Sequence, residues 1–282
     1  MKTATLLINC PDKTGIVAKI SNFLFINNCN IVESDQYSTG HEGGHFFMRV
    51  QFAYNDVHLD KTLISERAGI IATELKAHWE LFFDDEKKKV GILVSKHDHC
   101  LLDILYRWRT GELFIDIPLV ISNHDEVRPI VEAYGIPYYF IPVNQYKENQ
   151  EKEILNLVKT STDVLVLARY MQILTDTFLA NYGKKIINIH HSFLPSFKGA
   201  EPYKQAWVKG VKVIGATAHY VSSQLDEGSI IAQEVITVSH KDNVIRLTQK
   251  GRDIEKLVMA QALRAHIDNK IIEHDNKTIV FD

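Results

Sequence analysis

Lys185-Ile-Ile-Asn-Ile-His-His-Ser-Phe-Leu-Pro195 is the stretch on which the reading of this chain turns. Ile186, Ile187 and Ile189 are β-branched and apolar, so the segment is predicted to be a buried strand. Side chains on a strand alternate between faces, which sends Asn188 and His190 to one side and His191 to the other. Ser192, Pro195 and Ser196 stop the strand. His190 then lies at or near its carboxyl end, where open α/β sheets bind their ligands. A second apolar run, Val213-Ile-Gly-Ala-Thr-Ala218, leads into the polar cluster His219-Tyr-Val-Ser-Ser-Gln-Leu-Asp-Glu-Gly228, whose Asp226 completes an Asn, His and Asp constellation.

Outward from that strand, the chain from residue 90 alternates short apolar runs with helical stripes. Strand patterns at 90–94, 115–122, 138–141 and 164–167 are separated by helical patterns at 101–108, 127–134 and 151–158. Later strands are expected at 213–220 and 230–238. A long helix follows over 244–267, with apolar Leu247, Ile254, Leu257, Val258 and Leu263, and 270–282 is expected to pack as a small extension. This rhythm implies a Rossmann-like, mostly parallel, doubly wound sheet. The first 84 residues read differently: strand 3–10, a helical stripe from Ile16 to Asn27, an extended segment at Ile31 and Val32, a turn at Gly40 to Gly44, strand 46–52, helix 59–76 and strand 78–83. That is β-α-β-β-α-β, a ferredoxin-like unit. The charged run Asp84-Asp-Glu-Lys-Lys-Lys89 is read as the junction. The expected division is a domain at 1–84, a linker at 85–89 and a second domain at 90–282.

The composition narrows the function classes. A chain of 282 residues can hold two domains, and 45% hydrophobic with 24% charged residues excludes a disordered or fibrous chain. The net charge of -3 comes with scattered Lys and Arg, so no footprint for nucleic acid or an anionic membrane is present, and a small-molecule partner is expected. No apolar run reaches the roughly 18 residues of a membrane span, and the start reads as a strand rather than a signal peptide. A cytoplasmic location is expected. Cys10, Cys29 and Cys100 lack CxxC spacing, which fits a reducing compartment.

Two clusters imitate metal sites. His41-Glu-Gly-Gly-His45 satisfies the H-E-x-x-H pattern, but that pattern binds zinc only on a helix, and each glycine costs about 1 kcal/mol of helix propensity. A turn is expected there. The His97-Asp-His99-Cys100 cluster is read as a loop that is solvated or lines a pocket, and no metal site is expected.

Asn188-Ile-His190, Ser192-Phe-Leu-Pro-Ser-Phe-Lys-Gly199 and Leu225-Asp-Glu-Gly228 together resemble the folate-dependent formyltransferase fold family. The His190-His191 doublet, Gly215-Ala-Thr-Ala-His-Tyr220 and the added N-terminal unit with Cys10-Pro-Asp-Lys-Thr-Gly-Ile-Val17 resemble the branch of that family that hydrolyses 10-formyltetrahydrofolate. The N-terminal unit resembles an ACT domain, an amino-acid-binding module of subunit interfaces. The resemblance implies Asn188, His190 and Asp226 as the catalytic set. It also implies Met171, Gln172, Ile173 and Leu174, with the loop carrying Val221 and Leu225, as the folate pocket; Gln172 stands where many relatives have Arg. His191 and His219 are expected behind the catalytic set. Effector contacts are implied at Asp12, Lys13, Thr14 and Gly15, with methionine and glycine as effectors and purine biosynthesis as the pathway supplied. A homo-oligomer is expected, and no cofactor.

Members of the family that transfer the formyl group to a phosphorylated amine have a Gly- and Asn-rich loop after the first Rossmann strand. This chain has Ser95-Lys-His-Asp-His-Cys100 instead, which cannot bring backbone amides so close to a phosphate. That favours water as acceptor. Transfer to an amine and a non-enzymatic amino-acid sensor are the competing readings. Product analysis separates hydrolysis from transfer, and the intact Asn188, His190 and Asp226 argue against a mere sensor.

Overall fold

In the computed structural model every residue is described except His41, Glu42, His58, Asn144 and residues 197–200. The chain divides into two compact units. The first comprises Met1–Lys87 with Asp268–His274 and Ile279–Asp282. Its elements are β1 (Lys2–Pro11), α1 (Ile16–Ile26), β2 (Asn30–Ser38), β3 (His45–Tyr54), α2 (Lys61–Leu75) and β4 (His78–Phe83). They form an antiparallel sheet of order β2-β3-β1-β4, the expected β-α-β-β-α-β unit. Period-two alternation shows directly in β1. Leu6 and Ile8 join the core with Ile20 and Leu24 of α1 and Ile64 of α2, whereas Leu7 joins Phe47, Ile272 and Phe281 in a separate cluster. Asp60 caps α2 by accepting the Leu63 amide at 2.8 Å.

The H-E-x-x-H motif falls partly outside the described residues, since His41 and Glu42 are not among them. His45 opens β3, and its Nε2 lies 3.1 Å from Asn9 Oδ1.

The second unit comprises Lys88–Ile267 with Asp275–Thr278. In chain order it holds β5 (Lys88–Val94), α3 (His99–Arg109), β6 (Ile115–Asp116), β7 (Val120–Ser122), α4 (Arg128–Ala133), β8 (Tyr138–Phe140), α5 (Lys147–Val158), β9 (Val164–Ala168), α6 (Asp176–Tyr182), β10 (Ile186–His190), α7 (Pro202–Lys209), β11 (Val213–Tyr220), β12 (Ile230–Thr237) and α8 (Val244–Ile267). Near the C-terminus β13 (Ile271–His274) and β14 (Lys277–Val280) pair as a two-stranded sheet. The large sheet runs β12-β11-β10-β9-β5-β7-β8, parallel from β10 to β8 and antiparallel at β11 and β12. Its central strands are buried on both faces, which is why β9 reads as an unbroken apolar run.

Several boundaries differ from the sequence reading. Lys88 and Lys89 belong to β5 because the strand begins on polar residues held by hydrogen bonds: Lys89 N donates to Asp163 Oδ2 at 2.8 Å and Lys88 Nζ to His266 O at 2.7 Å. The single strand expected at 115–122 is two short ones, with Pro118, which has no N–H to give a ladder, between them. His99 and Cys100 lie in the first turn of α3 rather than in a loop. Helices α6 and α7 carry no stripe that the sequence reading singled out.

The path from β5 through β7 to β8 goes one way, and β9 returns on the other side of β5. The carboxyl ends of β5 and β9 therefore flank the switch point where such sheets open a crevice. Ser95 ties it together: its Oγ donates to Asn123 Oδ1 at 2.7 Å and accepts from Met171 N at 3.0 Å.

Candidate active site

Asn188 and His190 leave β10 on the same face, as strand alternation requires, and both line a cavity of ≈ 260 Å³ in the second unit. The strand next to it supplies the third group. β11 runs antiparallel to β10 in a register that sets His219 directly opposite Asn188. His219 Nδ1 lies 2.9 Å from Tyr220 O, and a carbonyl only accepts, so that nitrogen carries the proton. Nε2 then accepts from Asn188 Nδ2 at 3.2 Å. The contact fixes the Asn188 amide with one N–H on His219 and its second N–H left for a ligand.

Asp226 comes back over these residues on the loop between β11 and β12. That loop closes tightly: Tyr220 N donates to Ser229 O at 2.9 Å and Ser222 Oγ to Gln224 O at 3.0 Å. A Cβ on Gly228 would sit 1.7 Å from Tyr220 O, so only glycine allows the return. Asp226 itself has φ 56. Its Oδ2 lies 3.2 Å from His190 Nδ1, and its Oδ1 lies 3.7 Å from His219 Nε2. Burial alone would raise the Asp226 carboxyl, but the hydrogen bond from His190 Nδ1 outweighs it and holds the group below the usual carboxylate range. The carboxylate places the His190 proton on Nδ1. His190 Nε2 is buried and has no hydrogen-bond partner among the described residues.

The six residues expected around a folate, Met171, Gln172, Ile173, Leu174, Val221 and Leu225, all line this cavity. Met171, Ile173 and Leu225 are exposed apolar side chains at its wall, a surface suited to a flat ring. Gln172 turns back on its own backbone, Nε2 donating to Met171 O at 3.0 Å. His191 differs from the expectation that it faces away. Alternation ends with β10 at His190, so His191 is free to turn, and its ring, 5.2 Å from that of His190, also lines the cavity. Burial first, and then the charge of Arg169, push His191 down to about 4, so it is uncharged near neutral pH.

A cluster behind the cavity escaped the sequence reading. Glu255 of α8 is buried, accepts from His99 Nε2 at 2.7 Å and from the Tyr203 hydroxyl, and lies 3.2 Å from Arg169 Nη1. The available signal was Glu255 standing beside Ile254 on the apolar stripe of a helix. His99, Cys100 and Glu255 are close enough to share a metal ion. They do not suit one: the Glu255 oxygens already accept from His99 and Tyr203, and Arg169 offsets their charge.

In the first unit, Asp12, Lys13, Thr14 and Gly15 form the loop between β1 and α1. Asp12 Oδ2 accepts from Ser38 Oγ at 2.5 Å, Lys13 Nζ donates to Leu75 O at 3.4 Å, Thr14 is exposed, and Gly15 takes φ 88 at the start of the helix.

Sheet order and site together define a formyltransferase-fold enzyme with an ACT unit: residues 88–263 match the Formyl transferase family and residues 4–63 match the ACT domain. The chain is 48% identical to a formyltetrahydrofolate deformylase of Synechocystis over 99% of its own length and 98% of that protein, and 46% identical to one of Bacillus subtilis over 98% and 93%. The crystal structure of a formyltetrahydrofolate deformylase from Pseudomonas syringae superposes with a TM-score of 0.95 at 47% identity, covering 100% of this chain and 95% of that one. The chain belongs to the formyltetrahydrofolate deformylase family.

Proposed function

We propose that this protein hydrolyses 10-formyltetrahydrofolate to formate and tetrahydrofolate. The observation that carries the reading is the convergence of Asn188, His190 and Asp226 on one apolar-walled cavity, with His190 Nε2 buried and unpartnered. A carboxylate held as low as Asp226 is a weak base near neutral pH, so proton transfer falls to His190. His190 Nε2 takes a proton from water as the oxygen attacks the formyl carbon. Asp226 stabilises the imidazolium that forms. The free N–H of Asn188 faces the developing oxyanion, a donor whose loss typically costs about 100- to 1,000-fold. The C–N bond then breaks, His190 returns its proton to the departing nitrogen, and the formic acid released ionises to formate. No step calls on a metal or a cofactor.

The finer reading is that the formate supplies purine biosynthesis from the cytoplasm, under control of methionine and glycine at Asp12 to Gly15. Oligomerisation fits the edge strand β2, which exposes Ile31, Val32 and Tyr37. A rate indifferent to both amino acids counts against the regulation, and a monomer in sedimentation counts against the assembly.

The deciding assay is single-turnover formate release in metal-free buffer without an amine, with His190→Gln alongside. Hydrolysis predicts prompt release by the wild type and a loss of at least about 100-fold in the variant. Release that waits for an added amine would establish transfer instead.

A further inference from the structure

A second cavity, of ≈ 570 Å³, adjoins the first and shares Arg169, Met171 and His191 with it. The Arg169 side chain is 9% exposed, and its Nε and Nη1 make no hydrogen bond among the described residues. The approach of Nη1 to Glu255 offsets charge, but the Glu255 oxygens already accept from His99 and Tyr203. A buried donor without a partner is unfavourable, and a guanidinium edge matches a carboxylate in both shape and charge. Arg252 also lines this cavity, is exposed and makes no ion pair with a described residue. The other cation on the wall, Lys204, is held by Glu201 at 3.1 Å. The cavity therefore carries a positive surplus at its wall and an orphaned carboxylate-shaped donor at its inner end.

The geometry points to the second cavity as the binding site and exit of a small carboxylate, formate, received by Arg169 and drawn outward by Arg252. The inference rests on the hydrolysis proposed above. Formate forms beside His190, and His191, whose ring packs on His190, is a wall of both cavities. Tetrahydrofolate fills the first cavity when the C–N bond breaks, so the anion leaves by the side that a folate does not block. His97 supports this. Partial desolvation first, and then Arg169 and Arg252, disfavour its charged form.

The test uses the intact protein, ¹³C-formate and no folate, with line broadening of the formate resonance as the readout. The wild type should broaden the signal, and excess unlabelled formate should reverse it. Arg169→Gln should weaken binding about tenfold, the worth of one charge-assisted hydrogen bond, and Arg252→Ala severalfold. Arg252 is exposed, so Arg252→Ala and Arg252→Glu keep the test decisive if Arg169→Gln does not fold. Absence of reversible broadening in the wild type, or equal broadening in wild type and the Arg252 variants, overturns the site. Formate release assayed on the same preparations separates the two readings. Binding without hydrolysis removes the proposed reaction and leaves the anion site, and hydrolysis with equal broadening throughout removes only the site.

Discussion

His190 Nδ1 lies 3.2 Å from Asp226 Oδ2, while the other nitrogen of the same ring is buried and unpartnered among the described residues. The two halves of the imidazole are thus assigned to different tasks by position alone. One side is held by a carboxylate, and the other is left for a proton in transit.

Asp226 can be replaced so that charge and backbone are tested separately. At φ 56, asparagine is tolerated far better than other non-glycine residues. Asp226→Asn should melt close to the wild type and release formate at least about 100-fold more slowly in single turnover. Asp226→Ala should lose as much rate and in addition about 1 kcal/mol or more of stability. Wild-type turnover by Asp226→Asn would remove the carboxylate from the mechanism.

Glu255 is the anchor of a buried charge cluster, and its removal strands Arg169. Glu255→Gln keeps the volume and deletes the charge, so a loss of about 3–5 kcal/mol is expected from denaturant unfolding. Adding Arg169→Gln should recover part of that loss, because the double variant no longer buries a lone cation. A single variant within about 1 kcal/mol of the wild type would show that the cluster contributes little.

Two half-buried histidines make acid destabilising. Burial, and then the charge of Arg169, lower His191 to about 4; burial, and then Lys88 and Lys185, lower His266 to about 3. Unfolding returns both to the ordinary value of about 6.5, so across this interval the unfolded chain binds more protons. Stability is therefore full above about pH 6.5 and falls toward about pH 4, each histidine adding a slope of at most about 1.4 kcal/mol per pH unit. Unfolding curves at about pH 7 and about pH 5 should show the loss, and His191→Asn should shrink it. Equal stability of the wild type at both values would contradict this.

Gly228 is required by space rather than by conformation. A Cβ there meets the Tyr220 carbonyl oxygen at 1.7 Å, and that backbone cannot yield without shifting β11. Gly228→Ala should displace the Asp226 loop and cost about 1–3 kcal/mol of stability. A displacement near 1 Å at the reacting groups typically costs about 100-fold in rate. A variant with normal kcat would place the loop outside the chemistry.

The alternation of apolar and polar residues in 186–190 was enough to put Asn188 and His190 on one face, and the change of rhythm after residue 84 was enough to separate a βαββαβ unit from a doubly wound sheet. Both are local patterns, with a period of two residues on a strand and about 3.6 on a helix, and local patterns are written in the chain. His191 shows the limit of that logic, since alternation says nothing once the strand has ended.

What tertiary structure alone decided is which polar groups meet. The register of β10 against β11 puts His219 opposite Asn188, and no single strand contains its neighbour's register. The return of the 221–228 loop depends on how closely the Gly228 backbone approaches Tyr220. The cluster of Arg169, Glu255, His99 and Tyr203 joins residues from after β9, from α8, from α3 and from α7. Each of those side chains read alone is a polar residue that would rather stay in water. Burying them is tolerable only when all of them arrive together, and that condition exists in three dimensions and nowhere along the sequence.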